Sequence, residues 1–554
     1  MHSSGAQLIV RLLEQQGIRL VSGIPGGPAL PLYDALAQST QIRHVLARHE
    51  QGAGFIAQGM ARVSGHAAVC LASSGPGATN LVTAIADAKL DSIPLVCITA
   101  QVPSAMIGTD AFQEVDTYGI SIPITKHNWL VRDVRDLLTI IPEAFRIAES
   151  GRPGPVWIDI PKDVLTASID VAVLPLPGLR RAAPELNLDL LRRAAELINA
   201  AKTPVLYLGG GVIAANAGAA VTALAEQAGL PATMTLMALG AMPVDHPLSL
   251  GMLGMHGARY TNYALEEADL LVVLGARFDD RAIGNADKFC PKAAIIHIDI
   301  DMAELGKIRR PDVAIQGDVA AAVEQLRSRV QANPRAQWCA RVAELKRQHP
   351  LALPHVEDPC SHYGLVHAVA AELDDEAVIV TDVGQHQMWV AQAYPFRRSR
   401  QWLTSGGLGT MGFGLPASIG ASLAQPERTV VCFSGDGSLK MNIQEMDTAV
   451  EEGVNVKVIV MDNQSLGLVH QQQDMFYGKR IFAADYKRHT NFQKIAEGFG
   501  MQVFDLDASP DPRATLRSAL KAKGPCLVHC SIDVQQKVFP MVPPGAANTE
   551  MIGG

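Results

Sequence analysis

Two polar residues, Asp436 and Asn463, stand 27 positions apart, each just past an apolar run. Asp436 lies in Ser434-Gly435-Asp436-Gly437-Ser438 after Val430-Val431-Cys432-Phe433. Asn463 follows Val456 to Met461 and Asp462. The runs read as buried strands. Both polar clusters therefore fall at carboxyl ends of strands in a β-α-β unit, where open α/β sheets bind ligands. One carboxylate and one amide oxygen, beside glycines that admit close backbone approach, make a hard and weakly charged ligand set. It suits Mg²⁺ that already holds a phosphate. Taken alone, either piece is also explained by a Gly-Asp-Gly turn or an Asn cap.

A second candidate is Glu50, which ends Arg48-His49-Glu50 after the strand-like Val45-Leu46-Ala47 and before a small-residue helix, Gln51 to Val63. A carboxylate there is partly buried and needs a task or a partner. Acid–base chemistry is one task; favourable placement in a helix first turn is the alternative. A His-Glu-x-x-His zinc pair is excluded, because position 53 is Ala53. Further along, Pro204 to Leu208 runs into Gly209-Gly210-Gly211, a turn whose bare amides can take phosphate oxygens. Three glycines serve a tight turn equally well. An acid that ends a strand, as at His297-Ile298-Asp299-Ile300-Asp301, can accept from adenosine hydroxyls. Arg281 closes Arg277-Phe278-Asp279-Asp280-Arg281; its fork fits a carboxylate ligand or a salt bridge to Asp279 or Asp280. Gly-x-Gly-x-x-Gly at 407–412 is set aside as a dinucleotide fingerprint, since no acid follows about 20 residues on in a βαβ pattern.

The elements that must carry these residues alternate strand and helix throughout. Arg19 to Ser22, Val45 to Ala47, Ala68 to Ala72, Pro94 to Thr99 and Val156 to Ile160 read as strands, with Gly- and Ser-rich turns between them. The pattern predicts an α/β fold of three doubly wound parallel-sheet domains. Pro175, Pro177 and Pro184 mark one linker, and Pro350, Pro354 and Pro359 another. The expected domains are 1–170, 188–345 and 361–536, the third repeating the plan of the first, with a Pro/Gly-rich tail at 537–554.

The chain has 554 residues, 18% charged and 48% hydrophobic, with net charge −8. No basic block points to nucleic acid, and no apolar run reaches membrane-spanning length. The start lacks the charged and apolar regions of a signal peptide. Scattered cysteines such as Cys70, Cys97 and Cys432 read as small buried hydrophobes of a reducing cytoplasm.

These stretches resemble a known family. Gly435-Asp436-Gly437 with Asn463 resembles the thiamine diphosphate (ThDP) signature, although its usual Asn-Asn ending is Asp462-Asn463 here. Gly23-Ile24-Pro25-Gly26-Gly27, Arg48-His49-Glu50-Gln51-Gly52-Ala53 and Ser74-Gly75-Pro76-Gly77-Ala78-Thr79-Asn80 resemble the pyrimidine-binding domain of acetohydroxyacid synthase (acetolactate synthase) catalytic subunits. The likeness runs through essentially the whole chain, and Gln471-Gln472-Gln473 is most similar to bacterial isozyme I.

The resemblance implies a cytoplasmic enzyme that decarboxylates pyruvate and joins the product to pyruvate or 2-oxobutyrate. It implies ThDP, Mg²⁺ and a non-redox FAD. Glu50 would hydrogen-bond N1′ of the aminopyrimidine and favour its imino tautomer. Gln385, His386, Gly409, Met411, Gly435, Asp436, Gly437, Ser438 and Asn463 would meet ThDP, with Met411 propping its bent form. Asp436, Asn463 and the carbonyl of Ser465 would hold Mg²⁺. Gly27, Phe112, Gln113, Lys162 and Arg281 would complete the catalytic set. Phe112 and Gln113 would reach a partner subunit, Lys162 would lie at the substrate entrance, and Arg281 would take the second keto acid. FAD would lie along Arg152, Gly209, Gly210, Gly211, Thr235, Leu236, Met237, Gly254, Met255, His256, Gly257, Gly275, Ala276, Arg277, Asp279, Arg281, Asp299, Ile300, Asp318 and Val319. A homodimer (or tetramer) with interfacial sites, a small regulatory subunit and a C-terminal lid are implied as well. An FAD-free catabolic acetolactate synthase, a pyruvate oxidase and a non-catalytic subunit of the same fold are the alternatives.

Overall fold

The computed structural model describes residues 2–553. Among them, three six-stranded parallel sheets follow one another along the chain. The first holds β1 (Leu20–Gly23), β2 (Arg43–Leu46), β3 (Ala68–Ala72), β4 (Leu95–Gln101), β5 (His127–Leu130) and β6 (Pro155–Pro161), in the order β2-β1-β3-β4-β6-β5. The second holds β7 (Pro204–Leu208), β8 (Ala232–Met234), β9 (Ser249–Met252), β10 (Leu270–Leu274), β11 (Ala294–Asp299) and β12 (Val313–Gln316), in the order β9-β8-β7-β10-β11-β12. The third holds β13 (Val378–Thr381), β14 (Trp402–Leu403), β15 (Val430–Gly435), β16 (Val456–Asp462), β17 (Gln502–Asp505) and β18 (Cys526–Ser531), in the order β14-β13-β15-β16-β18-β17.

Counted within each sheet, the first and third share one order, 2-1-3-4-6-5. The middle sheet has 3-2-1-4-5-6, the dinucleotide-binding order. Strands β3, β4, β6, β7, β10, β15 and β16 are buried at every position. Helices cover both faces, so these strands read as continuous apolar runs. The N-terminus is tied in by a short antiparallel ribbon, His2–Ser4 against Ser168–Asp170.

The first and third domains share a core. Its centre is helix α1 (Glu50–Ser64), which lies between α2 (Pro76–Asp91) and α3 (Gly414–Ala424). A Cβ on Gly59 would stand 2.0 Å from the Ala417 carbonyl oxygen, and one on Gly420 1.9 Å from that of Ile56. The small residues of α1 are thus needed for backbone-to-backbone packing. Beside this contact Arg62, buried, pairs with Asp91 (2.8 Å) and Asp87 (3.2 Å), donates to the Thr404 carbonyl (2.9 Å) and covers the Phe413 ring. The C-terminal tail is packed down: Val538, Met541 and Val542 are buried, and Val542 N donates to Met255 O (2.9 Å).

Candidate active site

The third sheet reverses its strand order between β13 and β15, and the residues expected on a diphosphate converge there. The Gly435 amide donates to His386 Nε2 (3.3 Å), which leaves the ring proton on Nδ1. Burial pushes His386 down to about 3, so the ring stays neutral. A Cβ on Gly435 would lie 2.8 Å from His386 Nδ1, so only glycine fits. Asp436 follows at the strand end, 2% exposed, and its Oδ2 has no hydrogen-bond partner. The nearest cation is Lys440, 3.7 Å away. Burial first, then the charge of Asp462, pushes Asp436 up to about 6. A buried carboxylate oxygen with no donor has a demand that a cation can meet.

Asn463 stands at the end of the neighbouring strand. Its Oδ1 accepts from Ser465 N (3.1 Å), which brings buried Ser465 back toward it. Its Nδ2 donates to Gln385 Oε1 (3.1 Å), and Gln385 Nε2 donates to Gln471 Oε1 (3.0 Å). Ser438 Oγ donates to the Val383 carbonyl (2.6 Å). A Cβ on Gly437 would meet Tyr486 Oη at 2.9 Å and Met411 Cε at 3.7 Å, so Met411 stands over the Gly435–Ser438 turn. Gly409 is exposed, at φ +68, on the loop that leads to Met411.

The first sheet reverses at the matching place, between β1 and β3. Gly26 and Gly27 leave β1 beside Ser73: a Cβ on Gly26 would sit 2.4 Å from Ser73 Oγ. Gly75, at φ +56, faces Gln113, whose carbonyl oxygen a Cβ there would approach to 2.7 Å. Glu50 opens α1 after the His49 cap, and Asn80 Nδ2 donates to its Oε2 (2.9 Å). Phe112 is 87% exposed. Lys162 opens a short helix after β6; it does not line the large cavity described below, and neither do Phe112, Gln113 or Glu50.

Asn80 holds Glu50 near the start of α2, while Asp91 at its end accepts from the amides of Gly406 (3.1 Å) and Gly407 (2.7 Å). Asp87 extends the clasp by accepting from Thr410 Oγ1 (2.9 Å). Asp87 lies seven residues after Asn80, so at roughly 1.5 Å per residue about 10 Å of helix separates the residue that holds Glu50 from the one that holds Thr410, between Gly409 and Met411. Glu50 and the Gly409–Met411 loop are thus both anchored on α2, at different turns of it.

The middle domain bounds a cavity of about 1240 Å³, beyond the roughly 300–1,000 Å³ of ordinary small-molecule sites. It lies at the switch point of the second sheet. Gly209 ends β7 and Gly275 ends β10, and a Cβ on Gly209 would stand 2.1 Å from the Gly275 oxygen. Every residue expected on FAD lines this cavity except Gly254 and Gly257. Those two pack closely against backbone: a Cβ on Gly254 would meet the Arg281 carbonyl (2.3 Å), and one on Gly257 that of Met252 (2.5 Å). Asp299, pushed up to about 6 mainly by burial, sits at the end of β11. Arg152 also lines the cavity, with its guanidinium held by Glu304 (2.7 Å) and Ser92 Oγ (2.7 Å). Arg281 projects into it largely exposed, 3.8 Å from Asp280, a pair too open to hold it. The cavity runs on to Gly409, Gln472 and Met541. Gln472 lies on α4 (Gly467–Phe476).

Three participants escaped the sequence reading. Asn80 lay inside a quoted motif with no role assigned. Glu445 of the third domain accepts from the amides of Arg48 and His49 (each 3.1 Å) and so braces the Glu50 turn. Gln471 pins the tail by bonding both the amide (2.9 Å) and the carbonyl (3.1 Å) of Val538. No local pattern signals bonds that span 30, 67 and nearly 400 residues of chain.

Three family models match the chain: the N-terminal thiamine pyrophosphate (TPP) binding domain at residues 3–120, the central domain at 191–326 and the C-terminal TPP binding domain at 382–530 of thiamine pyrophosphate enzymes. The chain is 66% identical to the acetolactate synthase isozyme 1 large subunit of Escherichia coli, over 99% of this chain and 98% of that one. It is 44% identical to the isozyme 2 large subunit of the same organism, over 99% of each. To an acetolactate synthase large subunit of Parasynechococcus marenigrum it is 45% identical, over 99% of this chain and 91% of that one. With such identity along nearly the full length of both partners, and TPP-binding domains at either end, the chain belongs to the acetolactate synthase large subunits of the thiamine pyrophosphate enzyme family.

Proposed function

We propose that this protein is the catalytic subunit of an acetolactate synthase. It decarboxylates pyruvate and joins the two-carbon unit to a second pyruvate or to 2-oxobutyrate, giving 2-acetolactate or 2-aceto-2-hydroxybutyrate. This is the first common step of branched-chain amino acid biosynthesis. The observation that carries the reading is the pair of like sheets, each with its polar residues gathered at the strand reversal: Glu50 at one, Asp436 and Asn463 at the other.

ThDP, when bound, supplies the carbanion chemistry. The chain's part is to hold it, exclude water and move one proton. Asp436 Oδ2, Asn463 Oδ1 and the Ser465 carbonyl would hold Mg²⁺ on the diphosphate, with His386 and the Gly435–Ser438 turn beside it. Glu50 would hold a proton for exchange with the aminopyrimidine ring, and Met411 would support the cofactor. Arg281 receives the second substrate's carboxylate in a bidentate manner. The 3-2-1-4-5-6 sheet, its facing glycine turns and the large cavity fit FAD, with Gly209–Gly211 toward its phosphates and Asp299 toward its ribose. Carboligation has no net redox step, so the flavin is structural. An exposed Phe112 supports a homodimer in which each site draws on both chains. A small regulatory subunit is the further partner. No helix among the described residues is long and apolar enough to cross a membrane.

The test is to purify the protein, record its visible spectrum and assay pyruvate with and without ThDP and Mg²⁺. A yellow protein that forms acetolactate only with both additions supports the reading. Peroxide production or flavin bleaching in step with turnover would instead favour an oxidase.

A further inference from the structure

Glu50 is gripped at one oxygen. Asn80 Nδ2 donates to Oε2 at 2.9 Å. The contact exists because α2 starts beside the first turn of α1 and so carries the amide to the carboxylate. An amide NH₂ donates and cannot accept, so Oε2 must remain an unprotonated acceptor. A proton on this carboxyl therefore sits on Oε1. That oxygen faces Gly77, where a Cβ would stand 3.4 Å away, and the glycine keeps the approach open. The other groups around Glu50 are Tyr33, whose buried hydroxyl has no partner, and Arg48, His49 and Glu445 at the turn.

We propose that Asn80 is a positioning residue for the acid–base step: by holding Oε2 it fixes which Glu50 oxygen carries the proton and presents Oε1 to the cofactor ring. The proposal rests on the Glu50 assignment under Proposed function. It adds that the geometry of that acid is set by a side chain from a different helix.

The experiment compares Asn80→Ala, Asn80→Asp, Glu50→Gln and the double variant Glu50→Gln/Asn80→Ala, all loaded with ThDP and Mg²⁺. Hydrogen–deuterium exchange at C2 of the bound cofactor is measured together with ThDP affinity, the unfolding midpoint of the apoprotein and the pH profile of kcat/KM. Asn80→Ala is expected to slow exchange by about tenfold to a hundredfold, with ThDP affinity and unfolding midpoint close to wild type. Asn80→Asp sets a carboxylate against Glu50 and is expected to move the acidic limb of the profile up by about one pH unit or more. The double variant is expected to exchange no slower than Glu50→Gln alone, because Asn80 acts through Glu50. If Glu50→Gln is slow while Asn80→Ala and Asn80→Asp exchange and titrate as wild type, the Asn80 proposal is wrong and the Glu50 assignment stands. Multiplicative losses in the double variant would also overturn the proposal. If Glu50→Gln itself exchanges normally, the Glu50 assignment fails, and the Asn80 proposal with it.

Discussion

Asp436 has a buried oxygen that nothing in the chain satisfies, and that is why Asp436→Ala and Asn463→Ala are expected to act on loading and not on the fold. Loss of one charge-assisted contact, about 1.5–3 kcal/mol, should weaken ThDP and Mg²⁺ binding some ten- to a hundredfold; unchanged titrations in both variants would remove the site. Gln472 lines the cavity that Arg281 also lines, and offers a flexible, hydrated amide where a tryptophan would give a rigid apolar wall. One methylene in an apolar pocket is worth about 1–3 kcal/mol, so Gln472→Trp should raise the preference for 2-oxobutyrate over pyruvate. A competition assay with both substrates reads this, and no gain in the variant contradicts it. Asp382, wholly buried, accepts from Gly412 N (2.8 Å) and Ser434 Oγ (3.1 Å), and burial pushes it up to about 6. The unfolded chain titrates it near 3.9, so folding takes up a proton between these values and the charge costs stability above them. Denaturant midpoints of Asp382→Asn should therefore gain on wild type as pH rises from about 4 to above 6. Asp436 and Asn463 were legible in sequence because each directly follows a buried strand, and Glu50 because it opens a small-residue helix after a short one. Asn80 was not, since its partner is fixed only when α1 and α2 dock.

At the scale of elements, α1 and α3 meet through glycines, and the sequence showed this only as a run of small residues. Gly59 costs its helix about 1 kcal/mol against alanine, and the close approach offsets that. Gly59→Val would push a side chain into the Ala417 carbonyl and should destabilise the protein by roughly 1–3 kcal/mol, read as a lower midpoint in urea. A midpoint equal to wild type would show that the two helices can part freely. The central strands were legible as apolar runs, and β15 and β16 proved two residues longer than their Val430–Phe433 and Val456–Val460 cores. The edge strands β5, β12, β14 and β17 were not. They are short or half exposed, with burial that alternates or fails, so no period marks them. Strand order was also beyond the sequence, because parallel neighbours are chosen by crossover packing and not by local pattern.

Across the whole molecule, the first and third domains repeat one sheet order around a dinucleotide-type middle domain. The sequence reading of three α/β domains, with the third on the plan of the first, agrees with that arrangement. It also implied sites at a dimer interface, and the structure anchors Glu50 and the Gly409–Met411 loop at different turns of α2. We propose that two chains supply each site, and a mixture of two inactive variants tests this directly. Chains with Glu50→Gln and chains with Asp436→Ala are co-expressed in equal amount, and acetolactate formation from pyruvate is measured with ThDP and Mg²⁺ at levels that only just saturate the wild type, where Asp436→Ala stays largely unloaded. In a hybrid dimer one site carries both substitutions and the other carries neither. Random pairing should then restore about a quarter of the wild-type activity, while each variant alone stays inactive. A mixture no more active than its separate parents would contradict a ThDP site shared between two chains.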